Sequence, residues 1–293
     1  MVNLNKNKFY LGFIALLVTY LYFAFYLRNN STFFMPREYK VIKELVNKIA
    51  SKNNLGNKDI PFYIGSGSYM EARGKELGLC KEDNCWYFNN LSPYKNHKNI
   101  NGININKLVK NAYLFNGIEG YSWGGVVWLS QSTFRTYGEK KDYLNCTIGH
   151  ELSHIIYNNH IDNSIKIRDK LEELEKINNE DLKKIEENKE LFELELNRES
   201  EMEADANAAK LLLNAGYPKE TCVNELEFLA ISNKNDAYTD KNDTHPGFIE
   251  RIDSLKNFID KYEGRKVMKD TKTFRWKWIY NRKNNTLTFV PRK

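Results

Sequence analysis

His150-Glu151-Leu152-Ser153-His154 is the stretch whose reading decides this chain. Positions i and i+4 of a helix share one face. His150 and His154 can therefore aim two imidazoles at one metal ion, and Glu151, one residue round, can hold a water beside it. Tyr143, Leu144, Ile148, Leu152, Ile155 and Ile156 recur at helical spacing, which places the motif on a buried amphipathic helix over 142–158. A buried helix carries two His and a Glu only where partners satisfy them.

A catalytic zinc takes three protein ligands and leaves its fourth position to water. Downstream, Glu201-Met202-Glu203-Ala204-Asp205 offers two carboxylates one helical turn apart. Glu201 is the candidate third ligand. Asp205 can hydrogen-bond a ligand imidazole and fix its tautomer. His160 competes for the same role, because it follows His154 at the spacing of the metzincin motif. That motif turns on a glycine where this chain has Tyr157, a poor residue for a positive-φ turn. Glu201 is the expected ligand, and His160 is the alternative that would define a metzincin.

These motifs, followed by Thr244-His245-Pro246 and Arg251-Ile252, resemble the family that includes the CAAX prenyl protease and the heat-shock membrane protease HtpX. Asn111-Ala112 and the run 124–129 resemble that family's strand before the catalytic helix. The resemblance implies an α+β, mainly helical, zincin-like metallopeptidase domain with a small sheet beside the HExxH helix. It implies one Zn2+ per chain on His150, His154 and Glu201, with Glu151 as general base and Asp205 in support. His245 and Arg251 would line the cleft, the first as a donor to the tetrahedral oxyanion and the second as a clamp on a carboxylate. The activity implied is hydrolysis of internal bonds in protein or peptide substrates, in envelope or membrane protein quality control. The alternative from a different class is a membrane-anchored chaperone-like or docking protein on a peptidase fold. Better-known members cross the membrane several times. This chain has one hydrophobic span, so a single-anchor member is expected and CAAX processing is not.

That span is the uncharged run 9–27, opening on Phe9 and closing on Leu27. At about 1.5 Å per residue it is roughly 28 Å long, near the thickness of a bilayer core. No small-residue cleavage pattern follows it, so residues 1–30 read as a retained signal anchor, one N-terminal transmembrane helix. The positive-inside count barely decides its orientation. Cys80 and Cys85 bracket a short loop that a disulfide can close, which favours a catalytic domain outside the cytoplasm, periplasmic or extracellular. Cys146 reads as a small core residue and Cys222 gives no signal. The net charge is +6, yet ten Lys or Arg against Asp270 alone fall within 265–293. Basicity confined to a tail argues against a nucleic-acid surface.

The catalytic domain is expected over 31–262 and a basic, aromatic β-hairpin tail over 263–293. Helices are expected over 38–50, 220–232 and 247–262. Strands are expected over 60–64, 103–108, 112–115 and 124–129, the last as the sheet edge along which a substrate lies, with 70–100 irregular. Residues 163–198 are dense in Glu, Lys, Leu and Ile and read as two amphipathic helices, the second capped by Asn179 and continuing through Asp205. This charged arm joins the two zinc-binding segments. It suits a gate over the cleft or a docking surface for an adaptor or regulator.

Overall fold

The computed structural model describes residues 4–29, 35–81, 84–157, 159–177, 182–232, 237–240, 242–262 and 275–292, excluding the side chains of 4–9, 11, 24–29, 159–162, 174–177 and 182–188. Ten helices and five strands follow in chain order among these residues.

Helix α1 spans Leu4–Asn29. Its described side chains, Tyr10 and 12–23, are all exposed. Among the described residues no helix is long and apolar enough to cross a membrane. Helix α2, Arg37–Ala50, buries Ile42, Leu45, Val46 and Ile49, a stripe at helical spacing, against the domain.

The strands are β1 (Ile60–Gly65), β2 (Gly120–Trp123), β3 (Val126–Ser130), β4 (Arg275–Asn281) and β5 (Thr286–Arg292). They form one sheet in the order β2-β3-β1-β5-β4. Only β1 and β3 run parallel, with Phe62 opposite Val127 and Ile64 opposite Leu129. Phe62, Ile64, Val127, Leu129, Leu287 and Phe289 join the α2 stripe and Leu144, Ile148 and Leu152 of the HExxH helix in one core. Each fully buried side chain of this size contributes roughly 1.5–3 kcal/mol.

Several expectations about the elements are corrected here. The strands expected over 103–108 and 112–115 are one helix, α4, Ile105–Phe115. Asn104 caps it by accepting from the Lys107 amide at 3.0 Å, and Ile105, Val109 and Ala112 fall at helical spacing on its buried face. Asn111-Ala112 thus belongs to a helix, not to a strand before the catalytic helix. The stretch 70–100 is not irregular throughout: α3 (Ser68–Glu76) and a 3-10 turn at Trp86–Phe88 form a small second core with α4, beside the Cys80–Cys85 disulfide.

The sheet edge also differs from expectation. Gly124 and Gly125, both at positive φ, make the turn from β2 to β3, so the strand begins at Val126. It lies inside the sheet, and the edge is β2. The expected C-terminal hairpin forms and packs on the domain. Strand β5 pairs with β1, with Ile60 opposite Phe289. The indoles of Trp276 and Trp278 donate to Asn47 Oδ1 on α2 at 2.7 and 2.8 Å. The aromatic side chains serve the domain, while Arg275, Lys277 and Ile279 face outward.

Helix α5 (Gln131–Tyr137) leads into α6 (Lys141–Ile156), which carries the HExxH stretch. Then come α7 (Asn159–Ile177), α8 (Leu182–Asn214), α9 (Thr221–Ser232) and α10 (Phe248–Lys261). The charged arm is α7 and the first half of α8. Asn179 lies outside the described residues. The arm's base is tied where Asn163 Nδ2 donates to Ser200 Oγ at 2.8 Å, and Leu196 is buried there.

Candidate metal centre

Helices α6 and α8 pack closely because small residues meet at their crossing. A Cβ on Gly149 would stand 3.3 Å from Ala208 Cβ and 3.3 Å from Leu212 Cδ1. Ala204, Ala208 and Ala209 are buried on the α8 side. This approach brings His150 and His154 of α6 against Glu201 of α8.

His150 Nε2 lies 3.2 Å from His154 Nε2 and 3.1 Å from Glu201 Oε2, and His154 Nε2 lies 3.4 Å from Glu201 Oε1. Tetrahedral zinc with ligands at about 2.0–2.1 Å requires ligand atoms roughly 3.3–3.4 Å apart. The observed separations therefore fit that ion. His150 Nδ1 donates to Asp205 Oδ1 at 2.9 Å, so the proton sits on Nδ1 and the Nε2 lone pair faces the other ligands. Asp205 is held in turn by Arg251, whose Nε and Nη2 donate to its two oxygens at 2.7 Å each.

The electrostatics follow from this chain of partners. Burial works to raise the Glu201 carboxyl, but the charge on His150 and hydrogen bonds from both imidazoles hold it well below its usual range. Burial likewise opposes the charge of Asp205, and the Arg251 guanidinium outweighs it and keeps that carboxyl low. Burial opposes the His150 cation, and Glu201 and Asp205 overcome it, lifting that imidazole well above its ordinary value. A field that favours a proton here favours a divalent cation.

Glu151 differs. Burial pushes its carboxyl up to about 7, and the opposing pull of His150 does not restore it. A carboxyl near neutrality can both take and return a proton. Edge strand β2 passes close above it: a Cβ on Gly120 would meet Thr147 Cγ2 at 3.2 Å and Glu151 Oε1 at 3.3 Å. Glycine is what lets the strand approach this near.

These groups line a cavity of about 890 Å³ that also takes in Gly120, Tyr121 and Ser122 of β2, Asn163 and Ser200 at the arm's base, and Thr244, His245 and Pro246. His245 stands at the rim, its side chain 62% exposed, with Nε2 3.6 Å from Glu201 Oε1. Arg251 lines the cavity as well and reaches Asp205, clamping the carboxylate that orients His150. Of His160, only its place in α7 is described, and its side chain lies outside the described residues. Among the described residues, His150, His154 and Glu201 form the cluster able to hold a metal.

Two features of the site escaped the sequence reading. Cys146 is not an unpaired core residue: it forms a disulfide with Cys222 that ties α6 to α9 one turn before His150. Glu225 is the other. It is buried on α9, and its Oε1 accepts from the hydroxyls of Tyr137 and Thr147. The available signal was spacing, since Glu225 lies on the same helix face as Cys222, Leu226 and Leu229. Burial pushes the Glu225 carboxyl from 4.5 up to about 7, despite the two hydroxyls and the pull of Arg251. A carboxyl raised on folding stabilises the fold fully below its unfolded value, and that contribution fades as pH climbs to the folded one. The loss is of order 3 kcal/mol. Glu225→Gln, which keeps an acceptor for both hydroxyls, should therefore melt higher than wild type at pH 8, with the gap closing by pH 5. An equal gap at both pH values would show that Glu225 is not a buried, unpaired carboxylate.

A family model described as Peptidase family M48 matches residues 93–259, more than half of the chain. That match spans α4 to α10 and includes every candidate ligand. No curated protein and no solved structure matches the chain significantly.

Proposed function

The chain belongs to peptidase family M48, and from that premise we propose that it is a membrane-anchored, zinc-dependent endopeptidase. The observation that carries the reading is the set of ligand separations at His150, His154 and Glu201, which suit tetrahedral zinc.

Bound there, zinc would polarise the scissile carbonyl and make water acidic enough to react near neutral pH. The protein's own groups do the rest. Glu151 takes the proton of the attacking water and passes it to the leaving amine. Asp205 keeps the His150 proton on Nδ1, and Arg251 keeps Asp205 charged and in place. His245, at the rim beside Glu201, is placed to donate to the oxygen that gains charge during attack. The substrate lies as an added strand along β2, whose outer edge has no partner strand among the described residues and borders the cavity.

The anchor reading rests on the uncharged run 9–27, within which the described side chains, Tyr10 and 12–23, are all exposed. A domain outside the cytoplasm is supported by the pairing of all four cysteines in two disulfides. Substrates would then be envelope or membrane proteins. The arm, which ends at the cleft through Asn163 and Ser200, suits control of access or recruitment of an adaptor.

The test is hydrolysis of casein by the full chain in detergent. Activity should vanish with a zinc chelator and return with added zinc. Undiminished cleavage under chelation, or no cleavage by zinc-loaded protein, would contradict the proposal.

A further inference from the structure

We propose that the inner end of the cleft is a side-chain recess that selects a long basic residue, lysine or arginine, beside the scissile bond, with Glu225 receiving its charge. The inference rests on the peptidase reading and adds a specificity to it.

The recess is built by the Cys146–Cys222 disulfide together with Leu226, Leu229, Phe248 and Leu255, all of which line the cavity. Its walls are thus mostly apolar. One charged group is set into them. Glu225 is 4% exposed and lines the same cavity. Its Oε1 takes both available donors, Tyr137 and Thr147. Oε2 has no protein donor among the described residues.

Among the described residues Glu225 forms no ion pair. The Arg251 guanidinium is felt at Glu225, but its Nε and Nη2 are bonded to Asp205. A buried carboxylate with no ion-pair partner is costly. It is expected where a ligand supplies the missing cation. Substrate lysine or arginine fits that need: its methylene stem lies along apolar walls while its head reaches the carboxylate. Neutral side chains leave Oε2 unanswered, and acidic ones meet repulsion.

Position along α6 sets the register. Thr147, which bonds Glu225, is about one helical turn before Glu151, roughly 6 Å along the axis. A residue flanking the scissile bond, with its backbone at the metal, needs a long stem to span that step. Ser- or Ala-sized side chains do not reach. The inner end is held as a fixed wall, because the disulfide and the Tyr137–Glu225–Thr147 bonds join α5, α6 and α9.

The experiment has two arms. In the first, the full zinc-loaded chain and its Glu225→Gln variant digest denatured casein, and mass spectrometry reads the residues at each cleavage site. Lysine and arginine should be enriched about tenfold or more at one position next to the cut, the worth of a charge-assisted hydrogen bond. Glu225→Gln should bring that enrichment close to one. No basic enrichment, or the same enrichment in the variant, overturns the inference while leaving the peptidase reading intact. The second arm needs no turnover. In the Glu151→Gln background, calorimetry compares a short peptide bearing one lysine with its norleucine twin, which keeps the four-carbon stem without the charged head. The lysine peptide should bind about tenfold more tightly, and adding Glu225→Gln should abolish the difference. Equal binding of the twins before that change overturns the inference even if casein is never cut, an outcome that would separately refute the peptidase reading. Zinc content of each variant confirms that the site is still formed.

Discussion

Glu151→Gln is expected to lower peptide hydrolysis by about 10²–10⁴-fold, the usual worth of a positioned general base, while zinc stays bound. The separation of the two effects follows from geometry. Glu151 sits one residue round α6 from His150 and stands apart from the His150–His154–Glu201 cluster. Burial leaves its carboxyl near neutrality, which suits proton transfer and not ligation. The amide keeps the shape, so α6 and the close approach of Gly120 should be undisturbed. Measured kcat/KM on a quenched peptide, alongside zinc content by mass spectrometry, checks both halves. Activity within threefold of wild type would remove Glu151 from the mechanism, and loss of zinc would make it a ligand.

Arg251→Ala should produce the largest loss of stability of any single change at the site. The guanidinium holds both oxygens of a buried Asp205. Removing one partner of a buried pair costs about 3–5 kcal/mol, because the other charge remains in a place water does not reach. In a domain of this size that is roughly 6–20 °C in Tm. A second effect should accompany it. Asp205 orients His150, and disturbing such a support typically costs about 10–100-fold in metal affinity. Thermal melts of the zinc-free protein and competition with a chromophoric chelator separate the two. A change below about 0.5 kcal/mol would mean that Arg251 behaves as an ordinary surface cation.

The parts of this account that were legible in the sequence are those written in local spacing. Two histidines at i and i+4 share a face wherever the helix forms, so the α6 half of the site could be read directly. Glu201 and Asp205 repeat that logic on α8, where the alanines that permit close packing were also visible. Arg251 as a carboxylate clamp came from the family resemblance and not from spacing, and the contact it makes is with Asp205.

What stayed hidden depends on contacts distant in sequence or on elements too short to show a period. Strand β2 is four residues, Gly120–Trp123, of which only Ser122 is buried, too few to show a period. Its place at the edge, and hence the displacement of 126–130 to the interior, followed from pairing alone. The Cys146–Cys222 disulfide joins residues 76 apart, and nothing near either cysteine announces the other. The C-terminal hairpin looked like a tail because its partner, β1, lies more than 200 positions earlier. Helix α4 was misread for a different reason: short apolar runs fit either period, and the decisive signals were the Asn104 cap and the 105/109/112 spacing.

The central claim is that His150, His154 and Glu201 hold the metal. It is tested most directly by zinc stoichiometry in wild type, Glu201→Ala and His160→Ala, each purified as the full chain and dialysed against a weak chelator. The account predicts one zinc per chain in wild type and in His160→Ala, and little or none in Glu201→Ala. Zinc retained by Glu201→Ala and lost from His160→Ala would contradict it and make the protein a metzincin in its ligand set.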